Sequence, residues 1–212
     1  MRILTMEQGS PEWMNARLGI PTASRFSEII TPATLKPSKS ASKYRNQLLA
    51  EWLLGYPIDW SNGGSAWTDR GREMEGEARA FYEMQFDVDV VRVGFVLRED
   101  GRVGGSPDGL IGTDGGVDFK CPALHTHIGY MLEPDKLAAD YRAQVQGYMY
   151  LTGRAWWDLF AYSPALPHVR VTVERDAEFQ AALGAALDAF VADLDRCREQ
   201  LMPHREQVRA AA

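Results

Sequence analysis

Gly105-Ser106-Pro107-Asp108-Gly109, followed by Val117-Asp118-Phe119-Lys120-Cys121-Pro122, is the stretch on which the fold of this chain turns. It reads as two short strands, around residues 103–105 and 116–120, separated by a Gly-rich bend. On a strand, Asp118 and Lys120 stand two apart and so project from one face. Asp108 lies just before them at a Pro–Gly bend, which can bring its carboxylate alongside. Two carboxylates and an ammonium converging at a sheet edge suit a divalent cation with oxygen ligands, with a positive charge near an attacking water. Taken alone, an Asp-x-Lys pair on a half-exposed strand is as readily a surface ion pair.

Working outward, helical and strand periods alternate. Ser10 and Pro11 read as N-cap and first helical residue of a short helix through Leu18. Thr22 caps a second short helix whose apolar side is Phe26, Ile29 and Ile30. Residues 31–42, rich in Ser, Pro and Ala, read as a flexible insertion. A helix over 42–54 carries Leu48, Leu49, Trp52 and Leu53 and ends at Gly55. Residues 60–71 read as a loop, and the pattern returns to helix from about 70 to 86. Residues 88–97 are rich in β-branched side chains and lead into a hairpin-type turn. A helix over 136–151, strands over 156–162 and 169–174, and a long amphipathic helix over 177–201 complete the order. The sum is a mixed α/β core.

The chain has 212 residues, enough for one domain spanning 1–212 with a well-buried core. With 45% hydrophobic and 25% charged residues it is neither disordered nor collagen-like, and two cysteines cannot make a disulfide scaffold. No apolar run approaches the roughly 20 residues that span a bilayer. The opening residues lack the apolar stretch of a secretion signal, so a reducing, cytoplasmic setting is the default. The net charge of −6 counts against a protein that coats nucleic acid non-specifically. It leaves open an enzyme whose site gathers carboxylates around cations while its basic surface stays local. One such surface is visible: between Glu28 and Glu51 there is no acid, while Lys36, Lys39, Lys43 and Arg45 occur. These form either a solvated loop and helix or a phosphate-attracting arm. Cys121 and Cys197 are too few for an iron–sulfur cluster. His125 and His127 lack partners at zinc spacing, and no Gly-rich loop with Lys-Ser/Thr suggests ATP hydrolysis.

Pro-Asp, a short spacer and Asp-x-Lys is the signature of the PD-(D/E)xK nuclease superfamily. Five segments sharpen the likeness: residues 7–24 (EQGSPEWMNARLGIPTAS), 71–75 (GREME), 106–110 (SPDGL), 118–122 (DFKCP) and 141–149 (YRAQVQGYM). In this order they resemble the YqaJ-type viral recombinase, or lambda exonuclease, family over nearly the whole chain. The resemblance implies a restriction-endonuclease-like core, a mixed central sheet flanked by helices. It implies a metal-dependent 5′→3′ exonuclease on linear double-stranded DNA. Such an enzyme releases 5′-mononucleotides and leaves a 3′ single strand for recombination by annealing. The rivals are an endonuclease or junction resolvase of the same superfamily, and a non-catalytic DNA-end clamp.

Roles follow position by position as implications of the resemblance. Asp108 bridges metal, Asp118 is the second ligand where lambda-type members carry glutamate, and Phe119 gives its main-chain carbonyl. Lys120 holds or deprotonates the attacking water. Glu75 completes the outer carboxylate shell, although Glu75 and Arg79 are also spaced as a plain i, i+4 pair. Gln144 orients the water or the scissile phosphate. Tyr141 and Tyr148 are read as core. Arg17, with Ser24 and Ser106, matches the pocket for the 5′-terminal phosphate, a fit for a planar guanidinium. Trp13, on the same short helix, is either core or a partner contact. Thr68 stands where the family has an apolar wedge, leaving Trp67 as its substitute. Lys36, Lys39, Lys43 and Arg45 are candidate DNA contacts. The implied cofactor is Mg²⁺, two per site, with Mn²⁺ able to replace it. The implied partners are linear duplex DNA, two further copies in a ring-shaped homotrimer and a single-strand annealing protein, with no membrane.

Overall fold

A five-stranded mixed sheet carries the Asp-x-Lys strand at its centre. The computed structural model describes residues 1–58 and 65–211, with 65–73 and 209–211 as backbone only. The chain begins with β1 (Arg2–Leu4), α1 (Pro11–Arg17) and a 3₁₀ helix (Ala23–Glu28). A small hairpin, β2 (Ile30–Thr31) and β3 (Lys36–Pro37), precedes α2 (Ala41–Leu54) and α3 (Ser65–Phe86). Short strands β4 (Val90–Val91), β5 (Phe95–Leu97), β6 (Gly104–Gly105) and β7 (Gly109–Ile111) lead to β8 (Gly115–Lys120). Then come α4 (Leu124–Leu132), α5 (Pro134–Thr152), β9 (Trp156–Ser163), β10 (Leu166–Glu174) and α6 (Ala177–Ala211).

The large sheet has the order β10-β9-β8-β7-β4, and the smaller one β1-β5-β6. All pairings in the large sheet are antiparallel except β8 with β9. A parallel pair needs a long crossover, and α4 with α5 supplies it. That crossover lays α5 over the face of β8 that bears Asp118 and Lys120. The period of two sorts the strand. Val117 and Phe119 join Tyr82, Ile111 and Phe160 in an apolar cluster under α3. The opposite face meets the larger cluster built from α2, α5, α6 and the 3₁₀ helix, with Leu137, Val145, Met149 and Leu183 at its centre. Two glycines let β9 come close to β8: a Cβ at Gly116 would stand 2.4 Å from the Trp157 ring, and one at Gly115 2.0 Å from Trp156.

Local signals explain most boundaries. Ser10 caps α1, accepting from Trp13 N at 3.2 Å, and Pro11 occupies the first helical position. Gly55 and Gly153 end α2 and α5 in the left-handed conformation, φ 80° and 74°.

Several expectations need correction. The run 88–97 is two strands in different sheets. The chain changes sheet at Gly94, whose N–H donates to Leu4 O and where a Cβ would meet Met6 O at 2.0 Å. Of the expected loop 60–71, residues 60–64 lie outside the described residues and the remainder, from Ser65, is α3, because the following Ala-Trp-Thr-Asp-Arg carries no helix breaker. Residues 31–42 hold part of the β2–β3 hairpin, anchored by buried Ile30. The bend after Asp108 contains a strand, β7, and α4 precedes α5, which itself begins at Pro134. Helix α6 runs through Pro203 to Ala211. Among the described residues no helix is long and apolar enough to cross a membrane.

Candidate active site

The bend before β7 is stapled to its neighbours by the main chain and by two polar side chains. Asp108 Oδ2 accepts from Phe119 N at 2.7 Å, which draws the bend onto β8. Arg79, on α3, donates through Nη2 to Asp108 O at 2.8 Å and to Glu75 Oε1 at 3.2 Å. Gln8 Nε2 donates to Pro107 O at 3.0 Å and to Val93 O at 2.9 Å. Residues far apart in sequence thus hold one carboxylate in place.

Asp118 is 1% exposed and its Oδ2 lies 2.5 Å from Lys120 Nζ. The alternative of a surface pair does not describe this bridge, because Asp118 is buried and Lys120 is only partly exposed. Helix α5 brings Tyr141, Gln144 and Tyr148 down on the pair from one helical face. Gln144 Oε1 accepts from Lys120 at 3.2 Å, and its Nε2 donates to Asp118 Oδ2 at 3.2 Å and to Tyr148 OH at 2.8 Å. The Lys120 ammonium sits 4.0 Å from the centre of the Tyr141 ring, a cation–π contact.

The electrostatics are those of crowded carboxylates. Burial, and then the charges of Asp118 and Glu75, push the Asp108 carboxyl well above the usual range, with Lys120 acting against them. Burial opposes the Lys120 ammonium, but Asp118 and Asp108 outweigh it and hold the group above its ordinary value. Lys120 is therefore a persistent cation. The thiol of Cys121, also on the cleft wall, is pushed up to about 11 by burial and the nearby acids, so it is no ready nucleophile.

These groups line a cleft of about 390 Å³ together with Arg17, Ser24, Ser106 and Glu75. Arg17 Nη1 donates to Ser106 Oγ at 3.1 Å, and Trp13 Nε1 donates to the same oxygen at 2.8 Å. The guanidinium of Arg17 stacks over the Trp13 ring at 4.0 Å, and burial lowers its pKa. A fixed cation and hydroxyls thus stand in the same cleft as the carboxylates. Lys36 and Lys39 are exposed and lie outside that cleft. Lys43 lines a neighbouring groove of about 540 Å³ that shares Trp13 and Arg17 with it. Arg45 is engaged by Asp193 at 2.6 Å and by Asn46. The side chains of Trp67 and Thr68 lie outside the described residues.

For a cation, the fit rests on chemistry rather than on a ready-made cage. Among the described residues no three His, Cys, Asp or Glu groups stand together as one. Asp108 and Asp118 are nonetheless hard oxygen donors, burial and then their repulsion raise the Asp108 pKa, and a divalent cation held by them would relieve that repulsion. Glu75 lies in the same cleft and is paired with Arg79 at 3.2 Å, the i, i+4 pair its spacing allows. His127 is buried with Nε2 2.8 Å from Pro167 O, away from this cleft.

Sequence reasoning passed over Gln8, the Arg79–Asp108 contact and the Tyr148 hydroxyl. Tyr148 is four residues after Gln144, so helical spacing already placed it on the same face. The YqaJ-like viral recombinase domain model matches residues 12–155. The alkaline exonuclease LHK-Exo from Laribacter hongkongensis superposes with TM-score 0.78 at 30% identity, over 94% of this chain and 100% of that one. A structure of LHK-Exo in complex with dAMP gives TM-score 0.81 at 31% identity over the same shares. A phage-related exonuclease from Haemophilus somnus 129PT shares the fold, with TM-score 0.69 at 18% identity over 86% and 96%. No curated protein matches the chain by sequence.

Proposed function

Since the chain belongs to the YqaJ-like viral recombinase family, we propose that it is a divalent-metal-dependent exonuclease that digests linear duplex DNA from the 5′ end. It releases 5′-mononucleotides and leaves a 3′ single strand for an annealing protein. The observation that carries this reading is one cleft holding the Asp108–Asp118–Lys120 cluster, with Asp118 at its buried end, and the Arg17–Ser106 pair.

Mg²⁺, two per site or Mn²⁺ in its place, would be held by Asp108, Asp118 and the Phe119 carbonyl, where it would lower the pKa of a water and offset phosphate charge. Lys120, whose ammonium form the two acidic neighbours favour, donates hydrogen bonds to the attacking oxygen and to the phosphoryl oxygens on which charge builds. In this way it acts as an electrostatic stabiliser. Gln144 orients the same ammonium. Water adds to phosphorus, the P–O3′ bond breaks, and the 3′ oxygen leaves on the released nucleotide with a proton. The shortened strand then carries a new 5′-phosphate for Arg17 and Ser106. A homotrimeric ring, with cations lining only its channel, reconciles DNA threading with the net charge of −6.

With Mg²⁺, linear duplex should be converted to mononucleotides while covalently closed circles survive, and EDTA should stop the reaction. Cut circles would make the protein an endonuclease, and intact linear DNA would make it an end clamp. Arg17→Ala should slow release of the first nucleotide from 5′-phosphorylated ends by about 10- to 100-fold, the worth of charge-assisted phosphate contacts. On 5′-hydroxyl ends the change should be severalfold smaller. Equal slowing of both, in a quench-flow assay of the first cut, would remove Arg17 from the phosphate pocket.

A further inference from the structure

The size of its aromatic ring assigns Tyr148 to the core, and the ring is there, 2% exposed and 5.2 Å from the Trp157 ring centre. Its hydroxyl, however, opens on the cleft and makes two contacts of opposite sense. It donates to Ser106 O at 3.0 Å and accepts from Gln144 Nε2 at 2.8 Å. We propose that Tyr148 is a positioning residue that locks the Gln144 amide with its oxygen toward the Lys120 ammonium. This rests on the nuclease reading above for its consequence in catalysis.

The argument is one of donors and acceptors. A main-chain carbonyl only accepts, so Ser106 O takes the single proton of the Tyr148 hydroxyl. What Tyr148 then presents to Gln144 is a lone pair, and only the NH₂ end of an amide satisfies it. The carbonyl end of Gln144 must therefore face Lys120, whose ammonium only donates. The reversed amide would set donor against donor at Lys120 and acceptor against acceptor at Tyr148. Asp118 Oδ2 favours the same orientation, but at the longer distance of 3.2 Å. That oxygen is also shared with Lys120 at 2.5 Å, and the nuclease reading shares Asp118 again with a cation. The Tyr148 hydroxyl has no such competing role. It is moreover tied to Ser106, whose side chain receives Arg17 and Trp13, so the lock spans both ends of the cleft.

Tyr148→Phe keeps the ring and removes the hydroxyl with its contacts to Gln144 and Ser106 O. Turnover should fall about tenfold, the range of one buried hydrogen bond to a functional group. KM for duplex should stay near the wild-type value, and the melting temperature should fall by only a few degrees, for the lost contact to Ser106 O. In a Gln144→Ala background the same substitution should change turnover less than twofold, because Tyr148 acts through Gln144. An undiminished tenfold loss in that background, or unchanged turnover in the single variant, would overturn the proposal. A second measurement does not depend on cleavage. With ¹⁵N-glutamine labelling, the Gln144 side-chain NH₂ signals should be sharp and slowly exchanging in the wild type. In Tyr148→Phe they should broaden and exchange faster. Unchanged signals would refute the lock, whereas a wild-type protein that digests no DNA would refute only the nuclease reading.

Discussion

Lys120→Ala should abolish cleavage, reducing turnover by about 10³-fold or more, the range found when an electrostatic stabiliser of the transition state is removed. The reason lies in the site itself. Lys120 Nζ is the cation beside both carboxylates, and Gln144 Oε1 and the Tyr141 ring hold it there. Among the described residues no other ammonium lines this cleft, and the guanidinium of Arg17 is bound to Ser106. The same substitution has a structural cost. It leaves Asp118, 1% exposed, without its ionic partner, a loss of about 3 kcal/mol for a broken buried pair. The variant should therefore melt below wild type without divalent ions, and Mg²⁺ should restore part of the difference by taking over charge compensation. Thermal melts with and without Mg²⁺, beside a turnover assay, check both halves. Full activity in Lys120→Ala would remove the lysine from the chemistry.

Asp108→Asn has the second large effect, and its two consequences carry opposite signs. Cleavage should fall by about 10³-fold or more, because an amide cannot supply the charge that holds a divalent cation. Stability of the metal-free protein should rise. The carboxyl of Asp108 is pushed above its ordinary value of 3.8 by burial and by Asp118 and Glu75. It therefore binds its proton more tightly in the folded chain than in the unfolded one. The stability this contributes is fully present below the ordinary carboxyl range and is lost as pH rises through the raised folded value. Asparagine does not titrate and still accepts from Phe119 N. Asp108→Asn should accordingly melt several degrees above the wild type at pH 8 in EDTA, with the gap closing toward pH 4. Adding Mg²⁺ should raise the wild-type melting temperature and leave the variant unmoved. A variant less stable than wild type at pH 8 would contradict the crowding of carboxylates described here.

How far the sequence led depended on the range of the interaction. Period-two reasoning put Asp118 and Lys120 on one face, and the structure has them there, because alternation along a strand is a local property. Ser10, Pro11, Gly55 and Gly153 marked helix ends through φ, ψ preference and side-chain capping, also local. Strand β7 was missed because three residues, Gly109–Ile111, give too short a pattern, and α4 because Thr, His and Gly dilute its helical signal. The sheet change at Gly94 follows from the approach of β1, some ninety positions earlier. The supports of the site were hidden for the same reason. Gln8 reaches Pro107, Arg79 reaches Asp108 and Tyr148 reaches Ser106 across 99, 29 and 42 positions. Polar contacts at such range depend on how the packed elements meet, which no local pattern records. The basic run divides in the same way: composition grouped Lys43 and Arg45, but one stands in a groove beside Arg17 and the other is bound to Asp193.

The most direct test of the central claim is a linear duplex carrying a 5′-phosphate on one strand and a blocked 5′ end on the other, each strand separately labelled. It would be incubated with Mg²⁺ and wild-type protein, with Lys120→Ala beside it. The account predicts that only the phosphorylated strand is lost, one mononucleotide at a time from its 5′ end, and that the variant leaves both strands intact. Loss beginning at a 3′ end, or equal digestion by the variant, would contradict it.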